Sequence, residues 1–357
     1  MKSLWIVIAL GIFTLTACGG GSDDTPPDAG NPPPVSSTLS TELSGSQTVD
    51  ALVLDGEAQL AATTSGLLWR ADADAQWQTR SPLSEPVTAL TIIDEGHYLA
   101  AFAGDESAPA PLYVTTDSGL TWQAVSHNFG GTEHTPIRAL RYDSTTDQIY
   151  ALGADALAVA DRSAQDWILL AGRWDAFATG LNLLRIDPVD NAVWYGGQGA
   201  IENGFLVRYD RDTQEQQRWD DLLPNPSSFK GGLIHPTDQQ LVLFSGEGGI
   251  VRSTDHGASW TLPLGDVNHR FYFDIVLADS GVLYTAGYDK GSPTQDLIVE
   301  CSSDNGFSWH RNDFSEATSR GGVKSLMLVD EVDTTKLYLG LWENGIKSVD
   351  LSDLQCG

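Results

Sequence analysis

The stretch VRSTDHGASWT, Val251–Thr261, holds Ser253, Asp255, His256 and Ser259 within seven positions, the residue types of a hydrolytic centre. Other parts of the chain argue against that reading. YVTTDSGLTWQ (residues 113–123) and ECSSDNGFSWH (residues 300–310) carry the same pattern, Ser/Thr-x-Asp-x-Gly-x-Ser/Thr-Trp. A catalytic centre is needed once, and this unit occurs three times in full. Its histidine is replaced by Ser118 and Asn305 in the other two copies. Weaker copies centre on Asp72 with Trp77, Asp161 with Trp167, Asp210 with Trp219, and Asp350 without a Trp. The aspartates 72, 117, 161, 210, 255, 304 and 350 are spaced 44 to 49 residues apart, which marks a repeat architecture.

Within a copy the hydrophobic pattern is that of short strands. In the fifth, KGGLIHP, QLVLFSG, IVRSTD and SWTLPL are four apolar runs separated by Pro, Asp and Gly. Four antiparallel strands repeated seven times predict an all-β fold, a seven-bladed β-propeller. SSTLSTEL, residues 36–43, precedes the first inner strand and is expected to supply the outer strand of the last blade. Closing the ring in this way removes two exposed sheet edges.

The three full units resemble Asp-box, or BNR, repeats, found in sialidases, sortilin-type receptors, some endoglucanases and photosystem assembly factors. The resemblance covers residues 39–357 as architecture. It implies that Asp117, Gly119 and Trp122, Asp255, Gly257 and Trp260, and Asp304, Gly306 and Trp309 form turns between third and fourth strands, at the periphery and away from the ligand face. The residue chemistry agrees. Asp bonds nearby backbone N–H groups, and Gly accepts the positive φ of a tight turn. A Trp ring removes about 150–250 Å² from water, roughly 4–6 kcal/mol before entropy. Such scaffolds host unrelated activities, so the likeness says little about function.

The first residues are read as a targeting segment. Met1 and Lys2 precede an apolar run, Leu4 to Ala17, too short to span a bilayer comfortably. Its end, LTAC (Leu15–Cys18), resembles a bacterial lipobox, which implies cleavage after residue 17 and acylation of Cys18. Gly19 in place of Asp favours the outer membrane, with the domain facing the periplasm or the exterior. Residues 18–38, rich in Gly, Pro, Ser and Asp, read as a disordered tether. Cys301 and Cys356 remain. In an exported chain they are candidates for a disulfide worth about 4 kcal/mol, or else two separate buried thiols.

A formal net charge of −28 argues against nucleic acid as a partner. Few basic residues exist, yet five lie near the starts of inner strands: Arg138, Arg173, Lys230, Arg270 and Arg320. Pointing inward, they form a cationic ring for a carboxylate or sulfate. Trp174, Tyr272 and Trp342 share these loops. The alternative is that these cations pair with local aspartates and stabilise loops. The favoured reading is a monomeric, non-catalytic binding or assembly module for a protein or an anionic glycan. The alternative function is a carbohydrate-active enzyme, a sialidase-like hydrolase or a polysaccharide lyase, at the same mouth. The Arg-Ile-Pro motif of sialidases is missing, and no spacing points to a cofactor or a metal.

Overall fold

The computed structural model describes residues 39–105, 107–175, 180–238, 240–291, 294–319 and 322–357. The proposed signal, lipidation site Cys18 and tether fall outside these residues, as does Arg320. The described chain is almost wholly antiparallel β. Its strands run in successive meanders, each beginning at an inner strand. These inner strands are Val49–Asp55, Val87–Asp94, Ala139–Asp143, Gly180–Ile186, Ser228–Ile234, Arg270–Leu277 and Val323–Asp330. Each packs on the next, and Val323–Asp330 returns to Val49–Asp55, so they surround a central channel.

Hydrogen bonding groups the described strands into six sheets, five of four strands and one of seven. The large sheet arises where the fifth and sixth meanders meet, through the single pair Glu247↔Phe271. There the Gly248 N–H also donates to Arg270 O at 2.8 Å. The fifth meander departs from the sequence expectation in its fourth strand. SWTLPL gives only an isolated bridge, Arg252↔Thr261. Pro263, two residues beyond the bridge, offers no N–H to extend the ladder.

The segment ahead of the first meander closes the circle. Ser40–Leu43 pairs antiparallel with Ile346–Asp350, the third strand of the last meander. Glu42 locks the seam. It accepts from Ser348 Oγ at 2.7 Å and pairs at 3.2 Å with Arg70 of the first meander. The Arg70 guanidinium also packs on the Trp77 and Tyr338 rings, at 4.7 and 5.3 Å. Cys301 and Cys356 are bonded, with Cα atoms 5.2 Å apart, which fastens the chain's last residues to the sixth meander.

The three repeated turns share one bonding scheme. Asp117 Oδ1 accepts from Thr115 Oγ1 at 2.7 Å and Thr121 N at 2.8 Å, and Oδ2 accepts from Thr121 Oγ1 at 2.6 Å. The same bonds join Asp255 to Ser253 and Ser259, and Asp304 to Ser302 and Ser308. Two successive residues take positive φ, Ser118 and Gly119 (57° and 80°) in the first copy, so more than the glycine is strained. The three Trp side chains are only half-buried, which makes the burial energy above an upper bound. In the weaker copies Asp72, Asp161 and Asp210 cap amides only two or three positions ahead.

These bonds hold the carboxylates ionised. The Thr121 hydroxyl chiefly lowers Asp117 to about 2, and the Ser308 hydroxyl chiefly lowers Asp304 to about 2. Both folded values lie below that of an unfolded aspartate, near 3.9. Their stabilisation is therefore complete above about pH 4 and is lost as pH falls through about 2. Unfolding midpoints followed by circular dichroism should drop over that interval. An Asp117→Asn/Asp255→Asn/Asp304→Asn variant should start lower and lose less across it.

Candidate functional site

At or beside the entrance of every inner strand stands a buried apolar residue followed by a more exposed one: Val49-Asp50, Val87-Thr88, Ile137-Arg138, Leu181-Asn182, Phe229-Lys230, Tyr272-Phe273 and Val323-Lys324. In six of the seven, pairing to the second strand shifts register at this point. In the remaining one the Arg138 N–H donates at 2.8 Å to Leu152 O, the residue that Ala139 also faces. A bulge inserts one unpaired residue and re-aims its side chain. Here it occurs at one end of the channel in each strand, so these side chains gather at one mouth.

The gathering is uneven in charge. Lys324 pairs with Asp50 across the first–last seam. Lys290 pairs with Glu247 at 2.5 Å. Lys230 and Arg138 have no ion-pair partner among the described residues. Burial pushes the Lys230 ammonium down to about 8, and the Lys324 and Arg138 charges add to that fall against Glu247. Beside them stands an aromatic shelf. Phe271, Phe273 and Tyr288 lie nearly parallel, with centroids 5.2 to 6.0 Å apart and planes within 10°. Trp342 meets Phe273 at 6.2 Å and Tyr288 at 6.5 Å, with Lys324 Nζ 4.6 Å from its ring. A cation and flat rings side by side can hold an anionic group and the apolar or sugar surface next to it.

The residues named from sequence divide. Arg138, Lys230 and Trp342 meet at this mouth. Arg173 ends the fourth strand of the third meander and lies near Asp155 (3.6 Å) and Asp175 (3.8 Å). Arg270 turns into its own sheet, 2.8 Å from Asp289 and 3.5 Å from Glu300. Tyr272 is fully buried with Leu243, Ile250 and Ile275. Trp174 packs on Phe129 with centroids 4.7 Å apart. For Arg173 and Arg270 the geometry is that of local pairing with aspartates, while Tyr272 and Trp174 are packed against apolar neighbours. Lys324, Phe271, Phe273 and Tyr288 were missed. The signal that finds the bulge positions is the aligned inner-strand starts VDAL, VTAL, IRAL, LNLL, FKGG, YFDI and VKSL.

His256, the conspicuous residue of the opening stretch, joins two meanders. Its Nε2 lies 2.9 Å from Asp187 Oδ2, and its ring meets Trp194 edge-on at 5.6 Å. Arg162 and Arg211, each next to its own turn aspartate, reach Asp94 and Asp143 of the preceding meander in the same way. Asp187, Asp190 and His256 place donor atoms within 4.8 Å of one another, near enough for a metal ion. However, Asp187 Oδ2 also accepts from Trp194 Nε1 at 3.1 Å, and Oδ1 accepts from the Val189 and Asp190 amides at 3.1 and 2.9 Å. Burial opposes the charge of Asp187, and the bonds from His256 and the amides outweigh it, so its carboxyl is held below its ordinary value. Asp187→Ala leaves the buried Trp194 N–H without its acceptor. It should cost about 1–3 kcal/mol of stability in denaturant titrations, and added divalent metal should not change the wild-type midpoint.

At the other end of the channel, where inner strands exit, a cavity of about 950 Å³ opens between the turns of the fourth, fifth and sixth meanders. Arg185 and Asp274 line it, 2.9 Å apart.

No family model and no curated relative matches the chain. Solved structures do. YCF48 bound to D1 peptide aligns with TM-score 0.62 at 14% identity, covering 90% of this chain and 97% of that one. YCF48 from Cyanidioschyzon merolae aligns with TM-score 0.64 at 11% identity, covering 88% and 99%. An ancestral GH74 enzyme aligns with TM-score 0.61 at 11% identity, covering 88% of this chain and 49% of its own, so this chain spans about half that enzyme's length. Identities this low speak to fold alone. Together with the ring of antiparallel sheets, they make the chain a β-propeller.

Proposed function

We propose that the protein is a binding module whose inner-strand entrances take an acidic segment of a protein partner. The carrying observation is the pair of cations with no ion-pair partner among the described residues, Lys230 and Arg138, beside the Phe271–Phe273–Tyr288–Trp342 shelf. Of the carboxylates at this end, Asp50 pairs with Lys324 and Glu247 with Lys290, while Asp289 and Glu300 share the one guanidinium of Arg270. A propeller of similar fold holding a peptide favours a protein ligand. The flat, nearly parallel rings favour a second reading, an anionic glycan.

The scaffold is read as seven blades. The single pair joining the two halves of the large sheet supports counting it as two, and the seven inner strands support the same number. The common bonding of Asp117, Asp255 and Asp304 supports the Asp-box assignment. The lipobox-like LTAC supports a propeller tethered through acylated Cys18 at the outer membrane, facing the periplasm or the exterior, and the propeller is read as a monomer.

Heptaglutamate and polygalacturonate, titrated calorimetrically at low salt, test the reading. Heptaglutamate should bind, and Lys230→Gln with Arg138→Gln should weaken it at least tenfold, about 1.4 kcal/mol. Affinity should fall as pH rises through about 8, where Lys230 loses its proton. Stronger binding of polygalacturonate without turnover favours the glycan, and its cleavage favours an enzyme. Affinities unmoved by both substitutions would remove this mouth from consideration.

A further inference from the structure

Three asparagines precede glycine in this chain: Asn203-Gly204, Asn305-Gly306 and Asn344-Gly345. Such a step holds both partners of a reaction. The glycine amide nitrogen can attack the asparagine Cγ, closing a five-membered succinimide and expelling ammonia. Glycine has no Cβ and hinders that approach least. Water then opens the ring at either carbonyl, giving aspartate or isoaspartate. One water enters, one ammonia leaves, and a neutral amide becomes a carboxylate, with no oxidant or reductant needed.

The fold treats the three steps differently. All three glycines are buried, so what separates them is how each amide is held. The Gly204 N–H donates to Ser227 Oγ at 2.6 Å, and Asn203 O accepts from Gly199 N at 2.8 Å. The Gly306 N–H donates to Ser302 Oγ at 2.9 Å within a repeated turn, and Asn305 O accepts from Arg252 Nε at 2.7 Å. In both, a hydrogen bond must break before the nitrogen can attack. The Gly345 N–H donates to no acceptor among the described residues. Asn344 is exposed, with φ 84°, on a turn closed by Leu341 N donating to Gly345 O at 2.9 Å. That turn joins Thr335–Leu341 to Ile346–Asp350 at the entrance end, and Trp342 of the aromatic shelf lies in it.

We propose that Asn344 is a self-modification site, whose conversion to aspartate and isoaspartate adds a negative charge to the rim of the entrance mouth. The charge arrives two residues from Trp342, where a further carboxylate repels an acidic ligand. That effect on affinity rests on the mouth being the binding site; the chemistry at Asn344 does not.

Ageing the full chain in mildly alkaline buffer, then digesting it at acidic pH for mass spectrometry, tests this. The peptide bearing Asn344 should take the mass of its aspartate form at least tenfold faster than those bearing Asn203 and Asn305. Its rate should rise with pH, because the attacking nitrogen must lose its proton. In urea the three rates should converge, which separates the choice made by the fold from that made by the Asn-Gly sequence. In calorimetry with heptaglutamate, wild type should lose at least twofold in affinity on ageing. Asn344→Gln, whose longer side chain closes a ring far more slowly, should lose none. Conversion at Asn344 no faster than at the other two, or affinity untouched by complete conversion, would overturn the proposal. Fresh protein that binds no heptaglutamate counts against the mouth as the binding site, and the mass measurement then decides the modification by itself.

Discussion

Seven inner strands crowd around a narrow channel, and that crowding sets what each can carry. The residue after each bulge position is small in most repeats: Ala51, Ala89, Ala139, Gly231 and Ser325. At Gly231 a Cβ would stand 2.2 Å from the Phe273 carbonyl of the next strand, so no other residue fits without moving backbone. The space left for chemistry is therefore the one unpaired residue that the bulge turns out of the ladder. The mouth's charge is written in those positions: Asp50, Thr88, Arg138, Asn182, Lys230, Phe273 and Lys324. A body with net charge −28 still presents unpaired cations there, because position within the ring outweighs overall composition.

The periphery is governed by a different interaction. Asp in the repeated turns folds a tight reversal that two positive-φ residues would otherwise resist. The residue after that Asp is then free to reach across to the neighbouring meander. Arg162, Arg211 and His256 use that position to grip Asp94, Asp143 and Asp187. The apparent triad of the opening stretch is thus two structural devices in succession, a turn and a clamp. The same topology places turns and inner-strand exits on one face, so the clamps and the apolar cavity share an end. The cationic, aromatic mouth occupies the opposite one.

Much of the fold was legible because it repeats. Aspartates at near-constant spacing gave the period, Gly and Pro gave the strand limits, and residues 36–43, of which Ser40–Leu43 form the strand, pointed to ring closure by standing ahead of the first repeat. The fourth strand of the fifth repeat was less readable, since Pro263 outweighs the apolar pattern of SWTLPL. The candidate site was half legible. Arg138 and Lys230 are legible as basic residues near the starts of inner strands. Arg270 and Arg173 share that pattern, yet local carboxylates hold them.

By itself, the sequence determined the repeat, the antiparallel strands, the turn chemistry and the direction of ring closure. These depend on neighbours within a few tens of residues and on patterns of period two. The tertiary structure alone decided which charges meet. Lys324 and Asp50 are far apart in the chain and become partners only when the ring closes. Lys230 and Arg138 have no ion-pair partner among the described residues, because Glu247, whose charge reaches Lys230, is taken by Lys290. The bond between Cys301 and Cys356 is a matter of the same kind, since spacing offers a pair but only the folded distance allows the sulfurs to join.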